Sequence, residues 1–453
     1  MAPDPRATGS AWSFPRLAPV LLAAILASGC ASTPPRNLMG AYRFDDGRLI
    51  SVRASEKNDL RYREFATGES RRLYRHRRLR YISGRGFSTR APVELVVDFA
   101  VNAEGRATGL TWRMDGKAPE SADRVGVEEW VTFPSGDVTL FGRLDLPASP
   151  GPHPAVVFVH GSGESAATDH CYAGDFFATN GIAALTFDKR GTGRSGGKYG
   201  FDFKELAKDA VAAVEYLKSR PDIDSTSIGL SGYSQGGWVA PLAASMTDDV
   251  SYVIINCGMI ESPAEEVRLE TRNLMRKRGV DEESLKKIDE LTAAGVKVIE
   301  SGFKEWKEFD EIRKKHVDAE LRVKLKGTAF YDLLKYPHSV VRLVGPMKTP
   351  KGLDWRYDSA EVLQELDVPM VWLLGEKDES APNELTIPKL REMIAEGKPY
   401  ELIVFPDADH SMLLFHEEGE TRAYTGYAVD YFTTQLDRAR RLSGRSSPDG
   451  QTD

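Results

Sequence analysis

Ser234 stands in Gly232-Tyr-Ser-Gln-Gly-Gly237, after the apolar stretch Ile228-Gly-Leu230 and before the helix-competent Trp238-Val-Ala-Pro-Leu-Ala-Ala. A serine in a G-x-S-x-G run can occupy a sharp turn from strand to helix, because a side chain at either flanking glycine would meet neighbouring backbone. The hydroxyl then projects above the sheet, and the N–H of Gln235, in the helix's first turn, faces the place where an oxyanion would develop. The chemistry is nucleophilic attack on a carbonyl. A serine hydroxyl needs a general base, and the base needs an orienting carboxylate. Downstream, Met370-Val-Trp-Leu-Leu374 runs into Gly375-Glu-Lys-Asp-Glu-Ser-Ala-Pro382, and Ile403-Val-Phe405 into Pro406-Asp-Ala-Asp-His-Ser411. Asp378 is assigned as the carboxylate and His410 as the base. Glu376 and Glu379 are rivals to Asp378, and His416 is the rival to His410, read on the helical side of its loop. Asp407 and Asp409 read as turn residues. Upstream, Ala155-Val-Val-Phe-Val159 leads into His160-Gly-Ser-Gly163, a turn that offers backbone N–H groups from Ser162 and Gly163 to complete an oxyanion site with Gln235. His160 itself reads as a structural hydrogen-bonder, since it precedes the loop.

These residues work together only if strand ends converge at one edge of a sheet. Unalternated apolar runs at Ala155–Val159, Ala183–Phe187, Ile228–Leu230, Tyr252–Ile255, Met370–Leu374 and 401–405 read as strands buried on both faces, which requires helices above and below a parallel sheet. Phe203, Leu206, Ala207, Ala210, Val211, Val214 and Leu217 recur at helical spacing and form one docking stripe. Residues 424–440 carry another. Before the first buried run, 127–133 and 138–144 read as an antiparallel pair joined by Pro134-Ser-Gly-Asp137. Between Ile255 and Met370 the rhythm is broken by charged, helix-prone sequence such as 265–275 and 282–293, read as a helical cap at about 261–350.

The order Ser234, Asp378, His410 on a parallel sheet resembles the α/β-hydrolase superfamily. His160-Gly-Ser-Gly, Asp188-Lys-Arg-Gly-Thr-Gly-Arg-Ser195 and the terminal Asp-His-Ser are similar to bacterial serine esterases of the dienelactone-hydrolase-like and serine-aminopeptidase-like groups. The resemblance spans 125–440 and implies an α/β-hydrolase fold with a mostly parallel central sheet and a helical cap insertion. It also implies that the loop 188–195 shapes the rim beside the oxyanion turn, with Arg190 and Arg194 in buried or semi-buried pairs. The implied activity is cleavage of a small-molecule carboxylic ester through a Ser-His-Asp triad. A peptidase or aminopeptidase is the alternative, because the elbow also looks like that of prolyl-oligopeptidase-type enzymes, and an acidic pair on the cap would favour it. An alternative of another class is a surface binding lipoprotein without turnover.

Residues 37–120 have short apolar runs separated by Asp46-Gly47, Ser83-Gly84 and Glu104-Gly105, the pattern of a small antiparallel β domain. Its opening resembles lipocalin-like domains appended to some bacterial esterases. Six arginines in Arg71–Arg80 invite a polyanion, but without flanking RNA- or DNA-binding motifs the segment reads as a solvated strand face. A net charge of −7 over 453 residues argues against a wholesale nucleic-acid binder. At the start, basic residues precede an apolar run of 11 residues, Leu17–Ala27. At helical rise it reaches about 16 Å, against about 30 Å for a bilayer core, so it reads as an export signal over 1–29. Cys30 after Ala27-Ser-Gly resembles a lipobox acceptor, which implies a lipid anchor, a tether over 30–36 and a place in the cell envelope. Cleavage by an ordinary signal peptidase is the alternative. Cys171 and Cys257 read as buried free thiols, no spacing suggests a metal or cofactor, and 443–453 reads as a disordered tail.

Overall fold

A computed structural model describes residues 35–55, 59–349, 351–418 and 421–444. Cys30, the signal run and most of the polar tail lie outside the described residues.

Residues 40–125 form a closed barrel of eight antiparallel strands, from Gly40–Phe44 to Glu120–Val125, and the last pairs with the first. Closure removes the unpaired edges that a small open sheet would expose. Alternation builds its interior: Leu95, Val97 and Phe99 point inward from Leu95–Val101, and Tyr62 meets Trp112 edge-on at 4.8 Å. The strands Leu60–Glu64 and Ser70–Arg75 extend the predicted meander, and the arginine-rich segment is split between Ser70–Arg75 and Arg80–Ser83. Arg71 pairs with Glu69 and Glu94, Arg72 with Asp59 and Arg80 with Asp98, while Arg75, Arg77 and Arg78 are exposed.

The larger sheet has eight strands in the order Tyr400–Phe405, Met370–Gly375, Tyr252–Asn256, Ile223–Tyr233, His153–Val159, Ala183–Phe187, Val138–Leu146, Val127–Ser135. The first six are mutually parallel, and the last two form the antiparallel hairpin expected around Pro134–Asp137. Strands such as His153–Val159 are buried throughout, as a sheet covered on both faces requires. On one face lies Phe203–Lys218, capped by Asp202, whose carboxylate accepts from the N–H groups of Lys204 and Glu205. On the other lie Ala173–Thr179 and Tyr431–Leu442, together with barrel residues Ala41, Leu49 and Phe65. Between Asn256 and Met370 the described residues form seven helices, from Pro263–Lys277 to Ser359–Glu365, as the charged periodicity predicts.

The segment 424–440, expected to be one helical stripe, is helical only in part. The apolar spacing over 424–440 gives a helix only from Tyr431, and Thr421–Tyr427 is a strand paired with Leu413–Glu418. The barrel captures that strand: Tyr427 N–H donates to Gly68 O at 2.8 Å. His416 therefore sits exposed on a hairpin strand, not on the helical side of its loop.

Candidate active site

Strand Ile223–Tyr233 ends one residue before Ser234, and helix Gly236–Ala244 begins two residues after it, with Gln235 as its N-cap. Ser234 has φ 53°, a left-handed conformation that costs a non-glycine residue free energy and persists only where its surroundings enforce it. Those surroundings are tight. A Cβ on Gly232 would stand 2.2 Å from Gly236 O, and one on Gly236 would stand 2.5 Å from Val159 O. Ser234 N–H donates to Asn256 O at 2.9 Å, and Gly237 N–H donates to Ser234 O at 2.7 Å, pinning the turn from both sides.

The three residues assigned from sequence come together. Ser234 Oγ lies 2.9 Å from His410 Nε2, and His410 Nδ1 lies 2.8 Å from Asp378 Oδ2. An acceptor-only carboxylate at Nδ1 requires that nitrogen to carry the proton, so Nε2 accepts from the serine hydroxyl. Asp378 is buried, and its other oxygen accepts from the N–H groups of Ser380 at 3.0 Å and Ala381 at 2.8 Å. Burial works against charge on His410, but the Asp378 charge and hydrogen bond, with help from Glu266 and Asp409, outweigh it and raise its pKa above the usual value.

The rival carboxylates are engaged elsewhere. Glu379 pairs with Lys277 and Arg422, and Glu376 accepts from the N–H of Asp407 at 3.1 Å. Asp409 takes the N–H groups of Ser411 and Leu413, a turn role as expected. His160 keeps its ring against Phe187 and is pushed down to about 3 by burial and by Lys189, as suits a structural residue that stays neutral. The turn after it reaches the nucleophile through Gly161, where an added Cβ would lie 3.3 Å from Ser234 Cβ. Arg190 forms the implied pair, bidentate to Asp209 at 2.8 and 2.7 Å. Arg194 does not: it is exposed and lies over the Phe141 and Trp130 rings at 3.5 and 4.3 Å. Both described cysteines are free, but Cys171 is only half-buried. Cys257, Asp378 and His410 bring one ligand atom each within 4.8 Å of one another. Burial pushes the Cys257 thiol well up, which disfavours the thiolate that a metal requires, and Asp378 is already committed to His410.

Sequence reasoning missed the residues that hold these pieces. Tyr233 donates to the His410 carbonyl at 3.0 Å and so anchors the histidine loop to the elbow. Asn256 donates to Ser231 and Gly232 while accepting from Tyr431, joining the elbow to the last helix. Tyr233 fills a position that G-x-S-x-G leaves open and Asn256 lies in no motif, so only the register of neighbouring strands brings them in. A cleft of about 980 Å³ opens beside the Asp378 loop, lined by Asn273 and Lys277 of the first cap helix, Asp378, Glu379 and Phe415. Ser234 and His410 are not in its lining, so it adjoins the triad from the carboxylate side.

A serine on a strained elbow, facing a histidine and an aspartate at the carboxyl edge of a wound parallel sheet, defines a hydrolase of the α/β class. The chain belongs to the alpha/beta hydrolase family, whose model matches residues 156–422. The esterase EstD of Thermotoga maritima is 24% identical over 328 residues, 69% of this chain and 68% of that protein. The thiohydrolase aneE of Aspergillus aculeatus is 36% identical over 129 residues, and the match spans 28% of this chain and 40% of that protein's length. Human dipeptidyl peptidase 8 is 31% identical over 132 residues, 26% of this chain and 15% of that one. Among solved structures, an esterase of Pyrococcus furiosus has 17% identity and a TM-score of 0.42, covering 70% of this chain and 90% of that one.

Proposed function

We propose that the protein is a serine hydrolase that cleaves small-molecule carboxylic esters through an acyl-enzyme on Ser234. The observation that carries this reading is the unbroken run of hydrogen bonds from Ser234 Oγ through the His410 ring to Asp378, at 2.9 and 2.8 Å. His410 Nε2 takes the hydroxyl proton as Oγ bonds to the carbonyl carbon, while Asp378 holds the ring's other N–H and stabilises the imidazolium. The carbonyl electron pair moves to oxygen, which is received by the N–H groups of Gln235, Ser162 and Gly163. Losing one such donor typically costs about 3 kcal/mol, a hundredfold or more in rate. The imidazolium then protonates the leaving alkoxide. Water, activated by the same base, releases the acid and regenerates Ser234. The esterase and thiohydrolase relatives support acyl transfer as the reaction class.

The charge state of His410 sets the pH dependence. Its raised pKa keeps the base protonated, and the enzyme inactive, until pH passes a value above the ordinary ~6.5. In Asp378→Asn the opposing burial remains while the main charge that raises the pKa is gone. Its acid limb in kcat/KM is therefore expected at lower pH than the wild-type limb, with kcat down about ten-thousandfold. A limb that stays in place would remove Asp378 from the scheme.

A second reading has its own observation. Glu266 and Glu270 lie one turn apart on the first cap helix, Pro263–Lys277, and Glu266 is buried. Glu266 acts on the charge of His410, and the Glu270 carboxyl is pushed well up by burial and then by Glu266, Asp378 and Glu379. Negative potential at the triad favours an acyl group bearing an amine, as in aminoacyl esters or amides. p-Nitrophenyl acyl esters of rising chain length, assayed beside aminoacyl p-nitroanilides, separate the two readings. Faster turnover of the simple esters, with the ester-to-anilide ratio unaffected by Glu266→Gln, supports the first. Aminoacyl preference that Glu266→Gln cuts about tenfold, the size of one lost charge contact of about 1.4 kcal/mol, supports the second.

A further inference from the structure

Lys189 has no role in the reaction as written, yet it is one of the most deeply buried charged groups in the molecule, at 1% exposure. It follows the strand Ala183–Phe187, which runs parallel beside His153–Val159, so its side chain starts next to the His160–Gly163 turn. Its ammonium donates to Gly161 O at 2.8 Å and to Gln235 Oε1 at 2.8 Å, and it sits 5.2 and 5.4 Å from the Tyr199 and Phe201 ring centroids. No carboxylate is hydrogen-bonded to it among the described residues. Burying an ammonium against two neutral acceptors is costly, and a methionine would fill the space without that cost. The placement therefore needs a reason.

The reason lies in what the two acceptors belong to. The Gly161 carbonyl and the Ser162 N–H are the two ends of one planar trans peptide and point in opposite directions. Drawing the oxygen onto Lys189 turns the Ser162 N–H away from it. Tyr199 donates its hydroxyl to Ser162 O, which fixes the Gly163 N–H by the same geometry. Gln235, the other acceptor, supplies its own N–H from the elbow. We propose that Lys189 is the positioning residue of the oxyanion site. One ammonium ties the His160–Gly163 turn to the Gln235 side chain, so that donors from two separate loops keep a fixed aim on the acyl oxygen. The inference rests on the reading of Ser234 as an acylated nucleophile. The positive charge also polarises the Gly161–Ser162 peptide, which strengthens its N–H as a donor to a developing negative charge.

The groups facing Lys189 bear on its pH behaviour. Glu164 is the acid whose charge reaches it, and His160 is held neutral beside it. Tyr199, on the aromatic side, is held protonated by burial. Burial pulls the Lys189 pKa down to about 7, so the ammonium is lost as pH rises through neutrality. The sign is opposite to that of His410: kcat rises as the histidine loses its proton and falls as the lysine does.

The test uses the full chain and p-nitrophenyl butyrate, with labelling by a fluorophosphonate and a thermal melt alongside. In Lys189→Met, kcat is expected to fall tenfold to a hundredfold, about the loss of one oxyanion donor or somewhat less. KM should change less than threefold, and the melting temperature should not drop, since apolar replacement of a buried charge is often neutral or stabilising. The descending limb of kcat above neutrality should vanish while the ascending limb remains. Wild-type kcat and labelling rate in Lys189→Met would overturn the inference. If that variant does not fold, Lys189→Gln takes its place with the same readouts, and wild-type kcat and labelling rate there overturn the inference. Failure of the fluorophosphonate to label Ser234 in the wild type is a different result, because it removes the parent reading.

Discussion

Alanine at position 234 is expected to lower kcat for p-nitrophenyl esters by about a millionfold, the scale of loss when a serine nucleophile is removed from a working triad. The fold should tolerate the change. The left-handed backbone at φ 53° is equally strained for serine and alanine, and the bonds that enforce it come from main chain, from Ser234 N–H to Asn256 O and from Gly237 N–H to Ser234 O. His410 keeps its bond to Asp378 and its anchor from Tyr233, so the variant should bind ester with a KM near the wild-type value. A fluorophosphonate should attach to the peptide containing Ser234 in the wild type and to nothing in the variant. Ester hydrolysis that survives the substitution, or a label on another residue, would place the nucleophile elsewhere. The loss should exceed that of Asp378→Asn by about a hundredfold, because asparagine leaves nucleophile and base in contact and disturbs only the tautomer and the imidazolium.

How much of this was legible in the chain depends on where the constraint resides. The elbow is local: Gly232 and Gly236 exclude a Cβ by contacts within a few residues and with one neighbouring strand, so the spacing alone reports it. Asp378 and His410 are legible because each follows a continuous apolar run, and such runs end at the same edge of a parallel sheet. Lys189, Tyr233 and Asn256 are not legible in that way. Their work is to bond backbone carbonyls and amides on other loops, and any lysine after a strand looks alike until the register of three strands is known. Glu266 and Glu270 show the same limit. Helical spacing puts them on one face of the cap helix, but only the tertiary arrangement turns that face toward His410.

The fold divides similarly. The parallel strands and the helix Phe203–Lys218 follow from periodicity, because a sheet covered on both faces and a helix packed on one side leave distinct apolar patterns. The barrel strand Leu60–Glu64 hides behind its arginines. Arg61 stacks on Phe87 at 3.8 Å and Arg63 on Tyr172 at 3.9 Å, so the charged residues that interrupt the apolar pattern are covered by aromatic faces. The strand Thr421–Tyr427 was masked by a helical stripe that is genuine from Tyr431 onward. Gly426 is the clue in retrospect, since a Cβ there would stand 2.7 Å from Gly68 O, an approach that only the docked barrel creates.

That docking leads to the second large effect. Arg53, on the barrel strand Leu49–Ala54, is 1% exposed and enters a nest of acids from the larger sheet and the short helix Ala173–Thr179. Its Nε donates to Asp175 Oδ2 at 2.8 Å, its Nη2 pairs with the same carboxylate, and Glu128 and Asp145 stand at 3.3 and 3.7 Å. Arg53→Leu removes the cation and leaves the acids facing one another in a buried interface, a change expected to destabilise by about 3–5 kcal/mol. Burial alone would raise the Asp175 pKa, but the charges of Arg53 and Arg143 and the hydrogen bonds from Arg53 and Ser51 hold it below the usual value. A carboxyl held low contributes stability that is present above its unfolded pKa and lost as pH falls through the folded one. In Arg53→Leu the carboxyl is no longer held low, so it destabilises at neutral pH and is relieved by protonation. The gap in denaturation midpoint between wild type and variant should therefore be widest near pH 8 and shrink toward pH 5. An absent gap would mean that the barrel is held by apolar contact alone, and a gap constant across that range would remove Asp175 as the group Arg53 holds ionised. Phe65 supplies such contact against Phe176 and Phe432, at 4.4 and 5.0 Å.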